Sequence, residues 1–238
     1  MTPERMFAAA AATWPPAAVH AVGHWTIRQG GGGGSRVSCA TTDAAPDATR
    51  IAQAEAAMRA LGQVPLVMVR QGQDGLDAAL ARRGYALKDP VIAWAAPVAT
   101  LARLRPPPVT TFEVWPPLAA QAEVWAAGGI GPARLAVMAR ARGAKVALLG
   151  RQDEVPVGAA FVACDGDVAM LHALEVLEPA RRQGLGRHLL TAAAFWAARQ
   201  GAAHLGLLVT RANVAANRLY ASAGMVAVAQ YHYRILPE

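Results

Sequence analysis

The sequence has few cysteines, few lysines and no long apolar run, and each shortage excludes a class of protein. Its two cysteines, Cys39 and Cys164, lie far apart, and no metal-ligand spacing surrounds them. A disulfide framework and a metal centre are therefore not expected, and we expect free thiols in a reducing cytoplasm. No run reaches the roughly 18 apolar residues of a membrane-spanning helix, so we expect no membrane partner.

Positive charge is present, but it is not patterned for nucleic acid. The net charge is +7, and 21 of the 23 basic residues are arginine, a bias typical of a bacterial genome rich in G and C. No basic stripe with interleaved aromatic residues is found, so we expect no nucleic-acid partner. The arginines are better explained by an anionic small-molecule ligand. With 54% apolar residues, the chain has material for folded cores rather than disorder.

Three consecutive prolines, at residues 106–108, mark a boundary. Proline continues neither a helix nor a central strand, so residues 105–108 are predicted to be a stiff linker. The linker divides the chain into an N-terminal domain at 1–104 and a C-terminal domain at 109–238. In the C-terminal domain, strand-like and helix-like segments alternate, which predicts an α/β class with a mixed sheet. Asp165-Gly166 is typical of a tight hairpin turn, and two final strands are expected after the helix at 213–223.

A faint internal repeat relates the two domains. The segment from Gly62 to Tyr85 parallels the segment from Gly201 to Met225, each reading as strand, helix, glycine and a bulky residue. We interpret the first domain as a shortened, non-catalytic relative of the second; coincidence is the alternative. The five glycines at 30–34 lack the Lys-Ser/Thr ending of a phosphate loop, which favours a flexible hairpin loop between strands at 24–28 and 36–40.

The most informative stretch is residues 181–187, Arg-Arg-Gln-Gly-Leu-Gly-Arg. It follows an apolar strand and opens a long apolar helix. Glycines let backbone N–H groups approach an anion closely, and the positive end of a helix dipole stabilises its charge. Three side chains offer charge-assisted hydrogen bonds besides: Arg181, Arg182 and Arg187. The stretch therefore predicts a phosphate-binding turn.

The spacing Arg181-x-x-Gly184-x-Gly186 resembles the pyrophosphate-binding signature of the GNAT superfamily, the Gcn5-related N-acetyltransferases. A second stretch, Asn213-Val-Ala-Ala-Asn217-Arg-Leu-Tyr220, resembles the superfamily's later signature and closes with Gly224-Met225. The two stretches occur in the expected order. The resemblance implies a GNAT fold in the C-terminal domain and a truncated, degenerate GNAT-like fold in the N-terminal domain.

The same resemblance implies acetyl-CoA as co-substrate and assigns residues to it. In this superfamily the pantetheine arm adds like a strand to the open edge between two splayed central strands. The residues implied for the arm are Leu174, Glu175, Val176, Asn213 and Asn217. Those implied for the pyrophosphate are Arg181, Arg182, Gln183, Gly184, Leu185, Gly186 and Arg187. Asn213 also suits a helix N-cap, a role compatible with the first.

For catalysis, the resemblance implies Tyr220 as the general acid next to the sulfur; a core aromatic is the alternative. The general base stays open. The position that carries a carboxylate in the histone-modifying branch is Met170 here. His172 lies two residues further on, on the same strand face. Glu175 is a candidate if a bulge re-aims it. A water chain to bulk solvent is the third option.

The sequence therefore predicts a cytoplasmic, acetyl-CoA-dependent N-acetyltransferase that acts by direct attack in a ternary complex, without a metal. A small-molecule primary amine is the expected acceptor, and a protein N-terminus or lysine is the rival. A non-catalytic acyl-CoA-binding regulatory module is a third reading. The oligomeric state stays open, with a homodimer among the options.

Overall fold

The computed structural model describes residues 1–237, which form two compact units. The first unit comprises residues 1–14, 93–209 and 213–228. The second comprises residues 15–92, 210–212 and 229–237. Each unit is thus assembled from three separate stretches of chain.

The first unit is built on antiparallel strands followed by one parallel strand. Its helices are α1 (Pro3–Thr13), α5 (Val98–Leu101), α6 (Ala119–Ala127), α7 (Pro132–Arg140), α8 (Leu185–Arg199) and α9 (Val214–Ser222). Its strands are β6 (Thr111–Val114), β7 (Lys145–Gln152), β8 (Val155–Asp165), β9 (Val168–Val176) and β10 (His204–Thr210), with residues 93–97 of β5 (Ala86–Pro97). The strand order is β5-β10-β9-β8-β7-β6. A 3-10 turn at Glu178–Ala180 joins β9 to the loop before α8.

The second unit is smaller. Its helices are α2 (Ser35–Ser38), α3 (Ala48–Ala60) and α4 (Asp74–Arg82). Its strands are β1 (Ala18–Val22), β2 (Trp25–Gln29), β3 (Ala40–Thr41) and β4 (Leu66–Arg70), with most of β11 (Val226–Ile235), in the order β1-β2-β3-β4-β11. β11 pairs antiparallel with β4, from Tyr231↔Arg70 to Ile235↔Leu66.

The division differs from the predicted boundary at 105–108. Helix α1 belongs to the first unit because it packs on β8 and β9. Residues 93–97 also lie in that unit, whereas the end of the chain lies in the second because it pairs with β4. These reassignments depend on contacts between residues far apart in sequence, and a local run of prolines does not reveal such contacts.

Two predicted strand assignments were wrong. After α9 there is one long strand, β11, rather than two strands. Residues 36–40 are not a strand, because α2 occupies Ser35–Ser38 and β3 begins only at Ala40. The predicted hairpin at Asp165-Gly166 is confirmed, with Asp165 paired to Val168.

In the first unit the sheet is covered on both faces. Leu185 and Leu189 of α8 press on Gly150 and Gly158, where an added Cβ would come within about 3 Å of the leucine side chains. Fully buried leucines of this kind each contribute about 1.5–3 kcal/mol of burial free energy. Because side chains alternate along a strand, the neighbours of Gly158 face the other way. There they meet α1 and α6.

Helix α1 is held at both ends. At its start, Arg5 forms ion pairs with Asp165 at 2.6 Å and Asp167 at 2.9 Å, on the β8–β9 hairpin. At its end, the Thr13 side chain is fully buried and reaches β9. Helix α1 is therefore an integral layer of the first unit. No helix within residues 1–237 has the length and apolar character needed to cross a bilayer.

A carboxylate on α4 joins that helix to β11 in the second unit. Asp77 accepts hydrogen bonds from Arg234 at 2.7 and 2.8 Å and lies 2.6 Å from Nε2 of His232. The hydrogen bonds from Arg234 favour the charged carboxylate most, and the contact with His232 adds to the effect. They lower the pKa of Asp77 from its ordinary 3.8 to about 2. The resulting stabilisation is complete above the unfolded-state pKa and is lost as pH falls towards 2.

Replacing Asp77 by Asn should lower the free energy of unfolding at neutral pH by about 1 kcal/mol, after solvent screening of the charges is allowed for. The difference from the wild type should shrink as the pH is lowered from about 4 towards 2. Urea unfolding at several pH values measures it. Asp43→Asn is the matched control, since Asp43 is 87% exposed in its pair with Arg70 and should change little. A deficit that is independent of pH would contradict the assignment.

Candidate active site

Two central strands of the first unit separate at one end. The parallel ladder of β9 and β10 runs from Val168↔His204 to Leu171↔Leu207 and stops there. β9 continues to Val176 and β10 to Thr210. On its other side, β9 stays paired with β8 as far as Val176. The edge of β9 after Leu171 that faces β10 can therefore accept an extended ligand by strand addition.

A β-bulge lies at the start of this edge. Phe161 of β8 pairs with His172, but Ala159, two residues back, pairs with Glu175, so β9 carries one extra residue. Ala173 has a φ of +50°, an unusual value for a residue with a Cβ. Because Phe161 and Ala159 share a face, the bulge turns Glu175 to the same face as His172. The structure therefore contains the bulge that Glu175 needs in order to be a candidate general base.

Helix α6 packs against this bulge. Its Trp125, which is fully buried, donates its indole N–H to the Ala173 carbonyl oxygen at 2.8 Å. Just beyond the helix, Gly128 faces the Glu175 side chain, where an added Cβ would lie 2.6 Å from three of its atoms. Trp125 supplies the hydrogen-bond donor for the bulged backbone, and Gly128 leaves room for the Glu175 side chain. Trp196, like Trp125, is buried, whereas Trp115 is 37% exposed.

The predicted phosphate turn forms the N-terminus of α8. Gly184 is the N-cap in the left-handed region, with φ +91° and ψ −13°, and it makes no side-chain cap. The first-turn amides of a helix have no acceptor within it, so those of Leu185 and Gly186 are directed to the outside. Beside the turn lies a cleft of about 380 Å³, to which Gln183, Leu185, His188 and Arg151 contribute, together with Asp153 and Glu154. The uncapped amides of the turn fit an anion.

The arginines of the turn have different surroundings. Arg181 donates from Nε to the Val176 carbonyl oxygen at 2.8 Å and pairs with Glu175 at 3.0 Å, so it fastens the end of β9. Arg187 donates to the Ser222 hydroxyl at 2.7 Å, and Arg182 is exposed. Their contacts with an anion stay predictions.

Helix α9 carries the second signature. Asn213 is its N-cap, and its side chain accepts a hydrogen bond from the Ala216 amide at 3.0 Å, so the capping role is confirmed. Asn217 donates to the Asn213 carbonyl oxygen at 2.8 Å and accepts from the Trp94 indole at 2.9 Å. Both asparagines therefore organise the start of α9, and their contact with a pantetheine arm stays a prediction.

Tyr220 lies two turns further along α9 and is 6% exposed, within the same apolar core as Leu171 and Leu207. Burial raises the pKa of its hydroxyl to about 12. The hydroxyl is thus protonated at neutral pH, as a proton donor must be.

The two candidate bases differ in accessibility. His172 is 5% exposed, and its Nε2 lies 2.9 Å from the Thr13 hydroxyl. Thr13 donates its own proton to the Ala9 carbonyl oxygen at 2.6 Å, so His172 Nε2 is the donor of the pair. The imidazole ring also packs on Trp14, with centroids 5.0 Å apart. Glu175, by contrast, keeps 19% of its side chain exposed.

Sequence reasoning missed four residues that shape the site. Thr13 and Trp14 cover His172, Trp125 holds the bulge, and Trp94 bonds to Asn217. No local pattern identifies them, because each lies on a segment far in sequence from its partner. Gly128 had a local signal, since a second glycine follows it at the end of α6, but that signal indicates only a helix end. Within residues 1–237, no three His, Cys, Asp or Glu side chains are grouped as a metal site.

Comparison with known proteins confirms the resemblance. The sequence model of the acetyltransferase (GNAT) family matches residues 111–225. The chain therefore carries a GNAT acetyltransferase domain, and this domain contains both signatures, the bulge and the splayed strands. No curated protein matches the sequence.

Solved structures show the same fold over the whole chain. A GCN5-related N-acetyltransferase from Kribbella flavida superposes with a TM-score of 0.74 at 21% identity, covering 100% of this chain and 97% of that one. A functionally unknown protein from Staphylococcus epidermidis gives 0.70 at 10% identity, covering 91% and 92%. A tandem GNAT protein from the clavulanic acid biosynthesis pathway gives 0.62 at 14%, covering 94% and 86%. At these identities the likeness concerns the fold.

If the α8 turn holds the pyrophosphate, Gly184→Ala should abolish stabilisation by acetyl-CoA, because a Cβ is strained at φ +91° and shifts the amides. For a dissociation constant of about 10 μM, about 1 mM acetyl-CoA should stabilise the wild type by about 2.7 kcal/mol and raise its melting midpoint by several degrees. Thermal unfolding with and without acetyl-CoA measures both.

Gly201→Ala is the matched control for this substitution. Gly201 is likewise exposed and has a φ of +79°, but it lies at the far end of α8. It should melt earlier than the wild type and still respond to acetyl-CoA. An undiminished response of Gly184→Ala would show that the turn does not hold the pyrophosphate.

Proposed function

We propose that this protein is an N-acetyltransferase that transfers an acetyl group from acetyl-CoA to a primary amine. The observation that carries the proposal is the position of three features in one unit. The β9 edge is open beyond Leu171, the α8 N-terminus has no side-chain cap, and Tyr220 lies in the same apolar core as Leu171 and Leu185. GNAT membership of residues 111–225 supports the reaction class.

In the proposal, the backbone of residues 174–176 binds the pantetheine arm as an added strand. The α8 amides around Gly184 and Gly186 bind the pyrophosphate, assisted by the helix dipole. Holding both ends of the cofactor fixes the thioester carbonyl for attack, which converts a bimolecular encounter into a positioned one. No metal and no covalent enzyme intermediate is required.

The proton transfers are assigned to two side chains. The amine nitrogen attacks the thioester carbon, and the carbon–sulfur bond breaks. Tyr220 protonates the departing sulfur, because its buried hydroxyl holds its proton at neutral pH. Glu175 accepts the amine proton, directly or through one water, because the bulge and Gly128 hold its partly exposed carboxylate at the open edge. We assign His172 a positioning role, since it is buried beneath Trp14 and donates to Thr13.

For the acceptor, we propose a small-molecule primary amine and a cytoplasmic setting. A panel of small amines and of peptides with free N-termini or lysines, assayed by release of the CoA thiol, tests the acceptor class. Turnover of peptides alone would replace the small-molecule proposal with protein acetylation. Acetyl-CoA binding without turnover on any amine would favour a regulatory acyl-CoA-binding module.

Tyr220→Phe should lower kcat by about 100-fold or more and leave the dissociation constant of acetyl-CoA nearly unchanged, because only the donor hydroxyl is removed. Steady-state kinetics and binding calorimetry measure the two quantities. Tyr85→Phe is the control: it also removes a buried hydroxyl, one that lies 3.2 Å from Glu55 in the second unit, and should affect stability only. Equal kcat in Tyr220→Phe and wild type would remove Tyr220 from the mechanism.

Glu175→Gln should lower kcat/KM by at least tenfold, because glutamine has the shape of the acid but cannot accept the amine proton. His172→Gln is the comparison, since it should lower the melting temperature and change kcat/KM much less. Steady-state kinetics and thermal unfolding of both variants measure this. A large loss of kcat/KM in His172→Gln, with little loss in Glu175→Gln, would exchange the two roles.

A further inference from the structure

The internal repeat of the sequence is a repeat of structure. In each half, a strand leads to a nine-residue helix, then to a glycine with positive φ, then to a long strand: β4, α4 and β5 in the first half, and β10, α9 and β11 in the second. Gly84 has a φ of +89°, and Gly224, its equivalent in the second half, has a φ of +90°. The amides that follow these glycines, of Tyr85 and Met225, each donate 3.1 Å back to the helix.

The final strand of each repeat ends in the compact unit that holds the other repeat's helix. Residues 93–97 of β5 lie in the first unit with α9, and residues 229–235 of β11 lie in the second with α4. In each unit a side chain of this strand bonds to that helix, and in the second unit His232 also contacts it. Trp94 bonds to Asn217 at 2.9 Å, and Arg234 bonds to Asp77 at 2.7 and 2.8 Å.

These two connections occupy equivalent positions. The sequence offset that takes Gly84 to Gly224 also takes Trp94 to Arg234, and it takes Asp77 to Asn217. The same strand position therefore bonds to the same helix position in both units, although the chemistry has changed from an ion pair to a neutral pair. Because the connection recurs at equivalent positions, we interpret it as part of the repeated architecture.

In the first unit this connection leads to the candidate cofactor site. Trp94 donates to Asn217, and Asn217 donates to the Asn213 carbonyl oxygen at 2.8 Å. Asn213 in turn caps α9 through the Ala216 amide. Trp94 also packs against the apolar core that contains Tyr220. The orientation of Asn217, and with it the start of α9, thus depends on a residue from the first sequence half.

We propose that Trp94 is a positioning residue for the acetyl-CoA site, and that the first sequence half serves the acetyltransferase unit by supplying β5 and this indole. The inference rests on the proposed function, because it concerns the same cofactor. It gives the first half a role even though that half has no phosphate turn and carries Leu80 where the second half carries Tyr220.

The test is Trp94→Phe in the full-length chain, which keeps an aromatic ring and removes the N–H donor. We expect the dissociation constant of CoA and the KM for acetyl-CoA to rise about fivefold to tenfold, and kcat to change by less than twofold. Calorimetry with CoA and steady-state kinetics give these values. The equivalent change in the second unit, Asp77→Asn, is the control and should lower stability without changing CoA affinity.

A double-variant cycle with Asn217→Ala separates positioning from general weakening of the fold. If Trp94 acts through Asn217, adding Trp94→Phe to Asn217→Ala should raise the CoA dissociation constant no further. Additive effects, or a CoA affinity of Trp94→Phe within twofold of wild type, would overturn the inference. Failure of the wild-type protein to bind CoA would instead refute the proposed function, so the two failures are distinguishable.

Discussion

The hydrogen bond from the Trp125 indole to the Ala173 carbonyl oxygen is the interaction on which the site geometry depends. It holds Ala173 at φ +50° and so maintains the extra residue in β9. Without the bulge, strict alternation would place Glu175 and His172, which are three residues apart, on opposite faces of the sheet. One buried indole N–H therefore decides which side chains share the face beneath α6, and it does so at a position where β9 has already separated from β10.

The end of the β9–β10 ladder sets a second constraint. Backbone groups beyond Leu171 lack the strand partner that β10 gives to the residues before it, and buried backbone groups without partners are costly. The edge therefore favours either water or a ligand that supplies the missing hydrogen bonds. Arg181 supplies one hydrogen bond here, because its Nε donates to the Val176 carbonyl oxygen at the end of β9. The first residue of the phosphate signature thus also finishes the strand that precedes it.

The features predicted correctly from the sequence are those whose cause is local. Gly184 is needed because the turn takes a positive φ, and Asn213 caps a helix through an amide three residues away. In both cases the local sequence is enough to predict the local geometry. The errors concern contacts between distant segments. Arg5 and Asp165 are separated by 160 residues, and no periodicity within α1 reveals which surface its buried face will cover. The placement of β5 and β11 in the two units escapes local patterns for the same reason.

The cofactor site proposed for the first unit accounts for the difference between the two equivalent helix–strand connections. An ion pair such as Asp77–Arg234 holds strand and helix together more strongly than a neutral pair, and the second unit, which lacks a phosphate turn, accommodates it. An aspartate at position 217 would place negative charge at the start of α9, where a polyanionic cofactor is proposed to lie, and like charges repel there. Asn217 with Trp94 keeps the connection without that charge. The neutral pair is thus the form of this connection that is compatible with an anionic ligand.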